Sequence, residues 1–483
     1  MEPLQFDLLV IGGGAGTKIA GVASKAGMRV ALCEKWKLGG TCLNRGCIPS
    51  KMLIHASEVA EGIRGSAKYE IRSEYQGVNF EELVDWVCTT VDGTSDSIAK
   101  MYSARETITV FTEEARFVGE RIVQSGDFLL TAPKVFVAAG CRPAIPPIDG
   151  LDSVPYWTSD DALRNKRLPK KLAVIGGGYI GCELAGFFGG LGSEIIQWAR
   201  SGLLRFEDEE VAAEFSKIWS AKYTVHSGAV PSRVTYDEDT KIFSLTWVPP
   251  GEELEQVVEV DAVLVVTGVT PNTDTLHVEA SGIATKDGNY IQVDECLRTT
   301  CPGVWAFGDI AGNFLFRHSA NFEAEYLYAH VVLAEGIPAE YEPIDYTGMP
   351  HAVFANPQVA GVGAMEQELK AAGLEEGKDY VKGVNPYSAS AMGDALRSDS
   401  GFVKLLIERG SRKILGCHIV GHEASILVHE IIPLIRLQGK LDDILYSIHI
   451  HPSLSELVRN SARKARDALV EAGEDIPTLL RFK

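Results

Sequence analysis

GGTCLNRGCIPSK, residues 39–51, sets two cysteines five positions apart between a glycine pair and a lysine. In a regular α-helix, residues at that spacing lie about 8.7 Å apart at Cα, from a rise of about 1.5 Å and a turn of about 100° per residue. A disulfide reaches at most about 7 Å, so a bond between Cys42 and Cys47 needs an irregular backbone between them. Gly46 supplies the freedom to bend, and Pro49 suits the first turn of a helix starting just beyond Cys47. A bridge closing so short a loop removes little unfolded-chain entropy and makes a poor structural staple, whereas a short, strained one is easily reduced. On that helix Lys51 stands four residues after Cys47, on the same face as its sulfur, where a cation favours the thiolate. The stretch reads as a redox-active pair. The alternatives are two buried free thiols or half a zinc site, but zinc usually takes closer CxxC spacing and further Cys or His partners, and none lie near.

On the N-terminal side, FDLLVIGGGAG (6–16) reads as a buried strand entering a glycine turn, with a helix following in TKIAGVASKAG. Gly12 and Gly14 fit the first two glycines of GxGxxG, where a pyrophosphate approaches a helix N-terminus; an ordinary tight strand-to-helix turn is the alternative. Thr17 replaces the third glycine and is expected to loosen the packing of helix on strand. The next strand, MRVALCE, ends on Glu34, placed to bind an adenosine ribose.

On the C-terminal side, residues from about Asn79 to Lys100 read as helical, and strands follow in TEEARFVG and TAPKVFVAAGCRPAIP. KLAVIGGGYIGCELAGFFGGLG (171–192) then repeats strand, turn and helix with all three glycines, Gly176, Gly178 and Gly181. Two dinucleotide-binding folds with a dithiol between them imply two nucleotides that exchange electrons. The offset joining Gly12 to Glu34, counted from Gly176, falls on Trp198, flanked by Gln197 and Ala199, so no carboxylate awaits a ribose hydroxyl. Arg200 and Arg205 follow instead. Cations there suit a 2′-phosphate and point to NADPH over NADH; two solvated surface arginines are the alternative.

Later in the chain, Asp309 in CPGVWAFGDIAG follows a buried strand, Arg317 precedes His318, and from about Tyr346 a strand-rich region ends in helices. IHIHPSLSE carries His451 and Glu456, a histidine that titrates near neutrality and a carboxylate that can hold its tautomer. His449 beside them leaves a metal pair or core packing open.

At 483 residues, with about 100 to 200 per domain, three domains are expected. The 46 basic against 65 acidic residues give a net charge of −19, which repels phosphate backbones and anionic lipid. Nucleic acid and membrane partners are not expected; small soluble molecules are. MEPLQFDLLV shows no leader peptide, and no apolar run approaches the roughly 18 residues of a membrane span. Nine scattered cysteines fit a reducing compartment. A cytoplasmic protein is expected, with an organelle form lacking its leader as the alternative.

Residues 39–51, together with the two glycine turns, GD at 308–309 and HPSLSE, resemble the motifs of the FAD-dependent pyridine nucleotide disulfide oxidoreductases, the family of dihydrolipoamide dehydrogenase, glutathione reductase, mycothione reductase and mercuric reductase. The resemblance runs from Asp7 to about Lys464. It implies an α/β protein with two Rossmann-like domains and a C-terminal α+β dimerisation domain. FAD would bind in 1–155 and 275–345, NAD(P) in 156–274, and 346–483 would form the interface of a homodimer. It also implies that Cys42 attacks a small-molecule disulfide, that Cys47 is the charge-transfer thiolate, and that His451 and Glu456 act from the partner subunit. Tyr179 would cover the flavin until nicotinamide arrives, and Glu183 would pair with Lys51; a helix cap and a solvated charge are the alternatives.

Cofactor contacts would fall on Gly12, Gly14, Gly16, Glu34, Gly40, Thr41, Lys51, Ala115, Gly140, Asp309 and Arg317, and on Gly176, Gly178, Tyr179, Ile180, Gly181, Glu183, Arg200, Arg205 and Gly268. A solvated Arg317 is the alternative there. Ala139 stands where the family's ATGxxP has threonine, and Val269 replaces the arginine of TGRxPN. No metal is implied. The CLNxGCIPSK wording and the arginine pair favour a mycothione-reductase-like enzyme using NADPH. A dihydrolipoamide dehydrogenase using NAD is the nearer alternative, and a flavin-binding structural or signalling protein the more distant. LLRFK at the C-terminus lacks the cysteine pairs of mercuric or large thioredoxin reductases; no role is assigned to the acidic, helical tail after Lys464.

Overall fold

The computed structural model describes residues 2–476 of a mixed α/β protein; LLRFK lies outside them. The strand Leu8–Ile11 is at most 3% exposed and sits at the centre of a five-stranded parallel sheet. Its neighbours are Val30–Cys33 and Ile108–Phe111 on one side, Lys134–Val137 and Val304–Ala306 on the other. Runs such as LLVI and VALC are apolar without alternation because both faces of such a sheet are covered. Helices Gly16–Lys25, Phe80–Ser103 and Arg317–Leu327 and a four-stranded sheet that includes Ala115–Gly119 surround it.

Between Val137 and Val304 the chain builds a second parallel sheet, ordered Thr224–Ser227, Glu194–Ala199, Lys171–Ile175, Ala262–Val265. Cys141–Pro143 and Val269–Pro271 pair antiparallel where the chain leaves and re-enters the first fold. The C-terminal region is a five-stranded antiparallel sheet running from Pro350–Val353 at one edge to Tyr380–Pro386 at the other. The helix Glu456–Glu471 packs on it through Leu457, Val458, Ala462, Ala465 and Leu469, spaced as one helical stripe.

One contact positions the site. Helix Cys47–Arg64 of the first fold lies against helix Tyr179–Leu191 of the second, with Leu53, Ile54, Phe187 and Phe188 in one buried cluster. Burying side chains of this size contributes about 1.5–3 kcal/mol each, so the redox helix is anchored to the nucleotide fold that faces it. The Ser57 hydroxyl donates to the Gly186 carbonyl at 3.2 Å and Arg64 to that of Gly190 at 2.6 Å.

Candidate active site

Cys42 lies in a short helix, Gly40–Arg45, and Cys47 opens the next. The helix thus starts at Cys47 itself, with Pro49 in its first turn. The break between them is Gly46, where a Cβ would stand 2.9 Å from the Thr41 carbonyl oxygen and 3.3 Å from the Cys42 Cα. Any side chain would push the second helix off the first cysteine. Asn44, buried under the loop, donates from Nδ2 to the carbonyls of Leu38 and Gly40 at 3.1 and 3.0 Å. Arg164 holds the Asn44 carbonyl at 2.9 Å. The sequence alone marks neither Asn44 nor Arg164 as a site residue, although the amide inside CLNRGC is a signal for Asn44.

Both thiols are free, Cys42 half-buried and Cys47 exposed. The Cys42 thiol donates to the Cys47 sulfur, which raises the Cys42 pKa well above the ordinary thiol value and, with help from the Lys51 ammonium, lowers that of Cys47 to about 7. Lys51 Nζ is 2.6 Å from Glu183 Oε2 and 4.6 Å from the centre of the Phe354 ring. The other Glu183 oxygen accepts the Phe354 N–H at 2.9 Å. The expected Lys51–Glu183 pair therefore forms, and the C-terminal region clamps it.

At the first glycine turn, Gly12 has φ +109°, and a Cβ there would lie 2.2 Å from the Ala138 carbonyl oxygen. The backbones of Gly14 and Gly40 converge, a Gly40 Cβ falling 2.7 Å from the Gly14 Cα. Glu34 accepts the Gly13 N–H at 2.7 Å and the Trp36 N–H at 2.9 Å. The expectation that Thr17 loosens the helix is corrected: the close approach is made by Gly16, whose Cβ would meet Val10 at 2.7 Å. Thr17 tightens the turn, its hydroxyl donating to the Gly14 carbonyl at 2.8 Å. Arg317 reaches within 3.5 Å of where a Gly14 Cβ would be. It favours the Asp309 charge, but burial outweighs it and pushes that carboxyl up to about 6. Thr41 is exposed at the start of its helix, Ala115 is buried at the start of its strand, and Gly140 takes φ +63°. Asn272 Nδ2 donates to the Ala139 carbonyl at 2.9 Å, so the substituted threonine position is held through its backbone.

The second turn repeats the first. Gly176 has φ +141°, its Cβ would lie 2.2 Å from the Val266 carbonyl oxygen, and Gly181 gives the close approach, 2.4 Å from the Gly176 carbonyl oxygen. Gly178 caps the helix, Ile180 is exposed, and Gly268 at φ +133° precedes Val269 in the pairing with Pro143.

The sequence offset needs correction here. Gly12 N–H donates to the Cys33 carbonyl and Gly176 N–H to that of Trp198, both at 2.9 Å. Trp198 therefore corresponds to Cys33, and the counterpart of Glu34 is Ala199. The same register appears beneath the turns, where a Gly13 Cβ would meet the Glu34 Cγ at 2.9 Å and a Gly177 Cβ the Ala199 Cβ at 2.6 Å. Trp198 is a fully buried core residue, while Arg200 and Arg205 are exposed, Arg205 lying 4.0 Å over the Phe206 ring.

His451 Nδ1 is 3.0 Å from each Glu456 oxygen, a contact that holds the Glu456 carboxyl below its ordinary range. The His451 side chain is 73% exposed. Within one chain, among the described residues, it bonds to neither cysteine. The neighbouring Ile448 and Ile450 are 97% and 80% exposed, so this segment presents an apolar edge outward. His449 takes the packing option: its side chain is 5% exposed and lies 2.7 Å from Glu430.

Residues 6–324 match the family model described as pyridine nucleotide-disulphide oxidoreductase, and residues 349–462 match that family's dimerisation domain. The chain is 34% identical over 469 residues to mycothione reductase of Mycobacterium tuberculosis (strain H37Rv), covering 94% of this chain and 98% of that one. It is 33% identical over 479 residues to dihydrolipoyl dehydrogenase of Bacillus subtilis (strain 168), covering 96% and 97%. A Cu(II) complex of the HOCl-induced flavoprotein disulfide reductase RclA from Escherichia coli shares the fold, with a TM-score of 0.83 at 24% identity over 96% of this chain and 99% of that one. A paired dithiol, two glycine turns and a family match across most of the length lead to one conclusion: this chain belongs to the pyridine nucleotide-disulphide oxidoreductases, a family of oxidoreductase enzymes.

Proposed function

We propose that this protein is a homodimeric, NADPH-dependent FAD enzyme that reduces a small-molecule disulfide in the cytoplasm, with a function like that of mycothione reductase. The observation that carries the reading is Cys47, a thiol lowered to about 7 by Cys42 and Lys51 at the start of a helix packed on the second glycine-turn helix. FAD is assigned to 1–155 and 275–345, where the closely approaching Gly12, Gly14 and Gly40 leave backbone room for a pyrophosphate. Glu34, Asp309 and Arg317 border that cradle; Gly16, Thr41, Ala115 and Gly140 complete it. When bound, the flavin supplies a two-electron carrier between nicotinamide and dithiol.

The chain's own residues do the rest. Cys42, deprotonated by the partner's His451, attacks one sulfur of the substrate, forming a mixed disulfide and releasing the first thiol, which takes its proton from the imidazolium so formed. Cys47, as a thiolate, then attacks Cys42, closing the Cys42–Cys47 disulfide and releasing the second sulfur as a thiolate that is protonated from solvent. Two electrons leave the dithiol as two substrate thiols form. The partner's Glu456 orients that imidazole, and the Cys42 thiol, with Lys51 held by Glu183, favours the Cys47 thiolate. Region 346–483 forms the isologous interface. The nicotinamide nucleotide is assigned to 156–274, with Gly176, Gly178, Ile180, Gly181 and Gly268 shaping its bed and Arg200 and Arg205 meeting the 2′-phosphate. Among the described residues no helix is long and apolar enough to cross a membrane.

A second reading, dihydrolipoamide oxidation with NAD, is supported by the near-equal identity to the Bacillus subtilis enzyme. Steady-state turnover with lipoamide, glutathione disulfide and mycothione, each with NADPH and NADH, separates the two. Fastest turnover of mycothione with NADPH is expected; preference for lipoamide and NADH would replace the first reading by the second.

A further inference from the structure

Tyr179 opens the helix that follows the second glycine turn, and two other rings stack beside its own. The Phe316 ring is 5.9 Å away at 23°, and that of His351 is 6.5 Å away at 27°. The Tyr179 hydroxyl donates to Glu207 Oε1. The second oxygen of that carboxylate lies 2.8 Å from His351 Nε2. Glu207 is 1% exposed, and a buried carboxylate is costly without partners.

Its backbone is fixed as well. Gln367 donates to the Glu207 carbonyl at 2.9 Å, and the adjacent Asp208 carboxylate takes the fully buried Lys404 ammonium at 3.0 and 3.1 Å. His351, Gln367 and Lys404 all belong to the C-terminal region, whereas Tyr179 and Glu207 belong to the second nucleotide fold. The reaction as derived uses neither Glu207 nor His351.

We propose that Glu207 and His351 form a latch that holds the Tyr179 ring closed, making both positioning residues for nicotinamide entry. This rests on the reading of Tyr179 as the ring that yields to nicotinamide. To swing out, the ring gives up a hydrogen bond to a buried charge. His351 occupies the second carboxylate oxygen and so keeps the first aimed at the hydroxyl. The C-terminal sheet thereby sets how often the ring opens. A ligand whose binding-competent state is a minor fraction binds more weakly by that fraction. Loosening the latch is therefore expected to tighten apparent nicotinamide binding.

The test is anaerobic rapid mixing of the FAD-loaded enzyme with NADPH, reading flavin reduction across nucleotide concentrations. His351→Ala is expected to lower the apparent Kd about three- to tenfold, with the limiting rate within about twofold of wild type. Tyr179→Phe, which keeps the ring and removes the hydroxyl, should lower it by a similar factor, and the double variant no further than either alone. His351→Gln keeps a side-chain N–H toward Glu207 and should restore wild-type affinity. An additive double variant, or His351→Gln behaving as His351→Ala, overturns the latch while leaving Tyr179 as the cover. If Tyr179→Ala alters neither Kd nor limiting rate, the cover reading itself falls. Should His351→Ala fail to retain FAD, an unchanged Kd in Tyr179→Phe is enough to overturn the latch.

Discussion

Gly12 and Gly176 occupy the same place in two folds of one chain. Both take positive φ, +109° and +141°, and both would bring a Cβ to 2.2 Å from a carbonyl oxygen of the neighbouring strand, at Ala138 and Val266. Around that shared corner the two turns differ. The first brings its helix in through Gly16 and follows its second strand with Glu34, whereas the second uses Gly181 and has Ala199 at that position, followed by Arg200. The corner glycine answers to backbone geometry. The residue at the Glu34 position lies beneath the turn's second glycine, Glu34 under Gly13 and Ala199 under Gly177, and on the proposed reading it answers to the nucleotide. A dinucleotide fold can therefore keep its frame while its ligand changes by one or two side chains.

The largest expected effect comes from breaking each corner in turn. Gly12→Ala and Gly176→Ala each force an L-residue into left-handed backbone against a carbonyl, at a cost of about 3 kcal/mol or more. The first should purify without flavin. The second should keep flavin and lose its reduction by NADPH. Absorbance of the purified variants and one anaerobic titration decide it, and loss of flavin from both would deny that the two turns serve separate nucleotides.

A smaller effect is expected from making the second turn resemble the first. Ala199→Glu with Arg200→Gln supplies the carboxylate at the Glu34 position and removes a phosphate partner. Charge-assisted hydrogen bonds are worth about 1.5–3 kcal/mol, so preference should move toward NADH by roughly ten- to a hundredfold. Michaelis constants for both nucleotides measure it. Unchanged preference would take Ala199 and Arg200 out of nucleotide choice.

The smallest concerns Thr17. Thr17→Gly restores a GxGxxG fingerprint, yet Gly16 already makes the close approach, and the change removes the hydroxyl bond to Gly14. A loss of about 1 kcal/mol in thermal unfolding is expected. A gain would mean that position 17 limits the packing after all.

The redox loop was legible because it is local: Cys42, Gly46, Cys47 and Lys51 fall within ten consecutive residues, so spacing alone carries the chemistry. Glu183 was reached only through its family motif, since nothing in the sequence joins it to Lys51, 132 positions away. Glu207 stayed hidden for the same reason: Tyr179 stands in the second glycine turn, but nothing in the sequence joins it to Glu207, 28 positions on, or joins Glu207 to His351, 144 positions away. The misplaced counterpart of Glu34 has a plainer cause. A fixed count from the glycine assumes equal helix and loop lengths, and the second fold is one residue longer between turn and strand end.

The central claim is that electrons reach the substrate through Cys42 and Cys47. Its most direct test is Cys42→Ser in the FAD-loaded enzyme, with disulfide reduction and reduction of an artificial flavin acceptor measured side by side. Disulfide turnover is expected to disappear while acceptor reduction by NADPH persists at near its wild-type rate. Equal loss of both activities with flavin retained, or disulfide turnover surviving the substitution, would contradict the account.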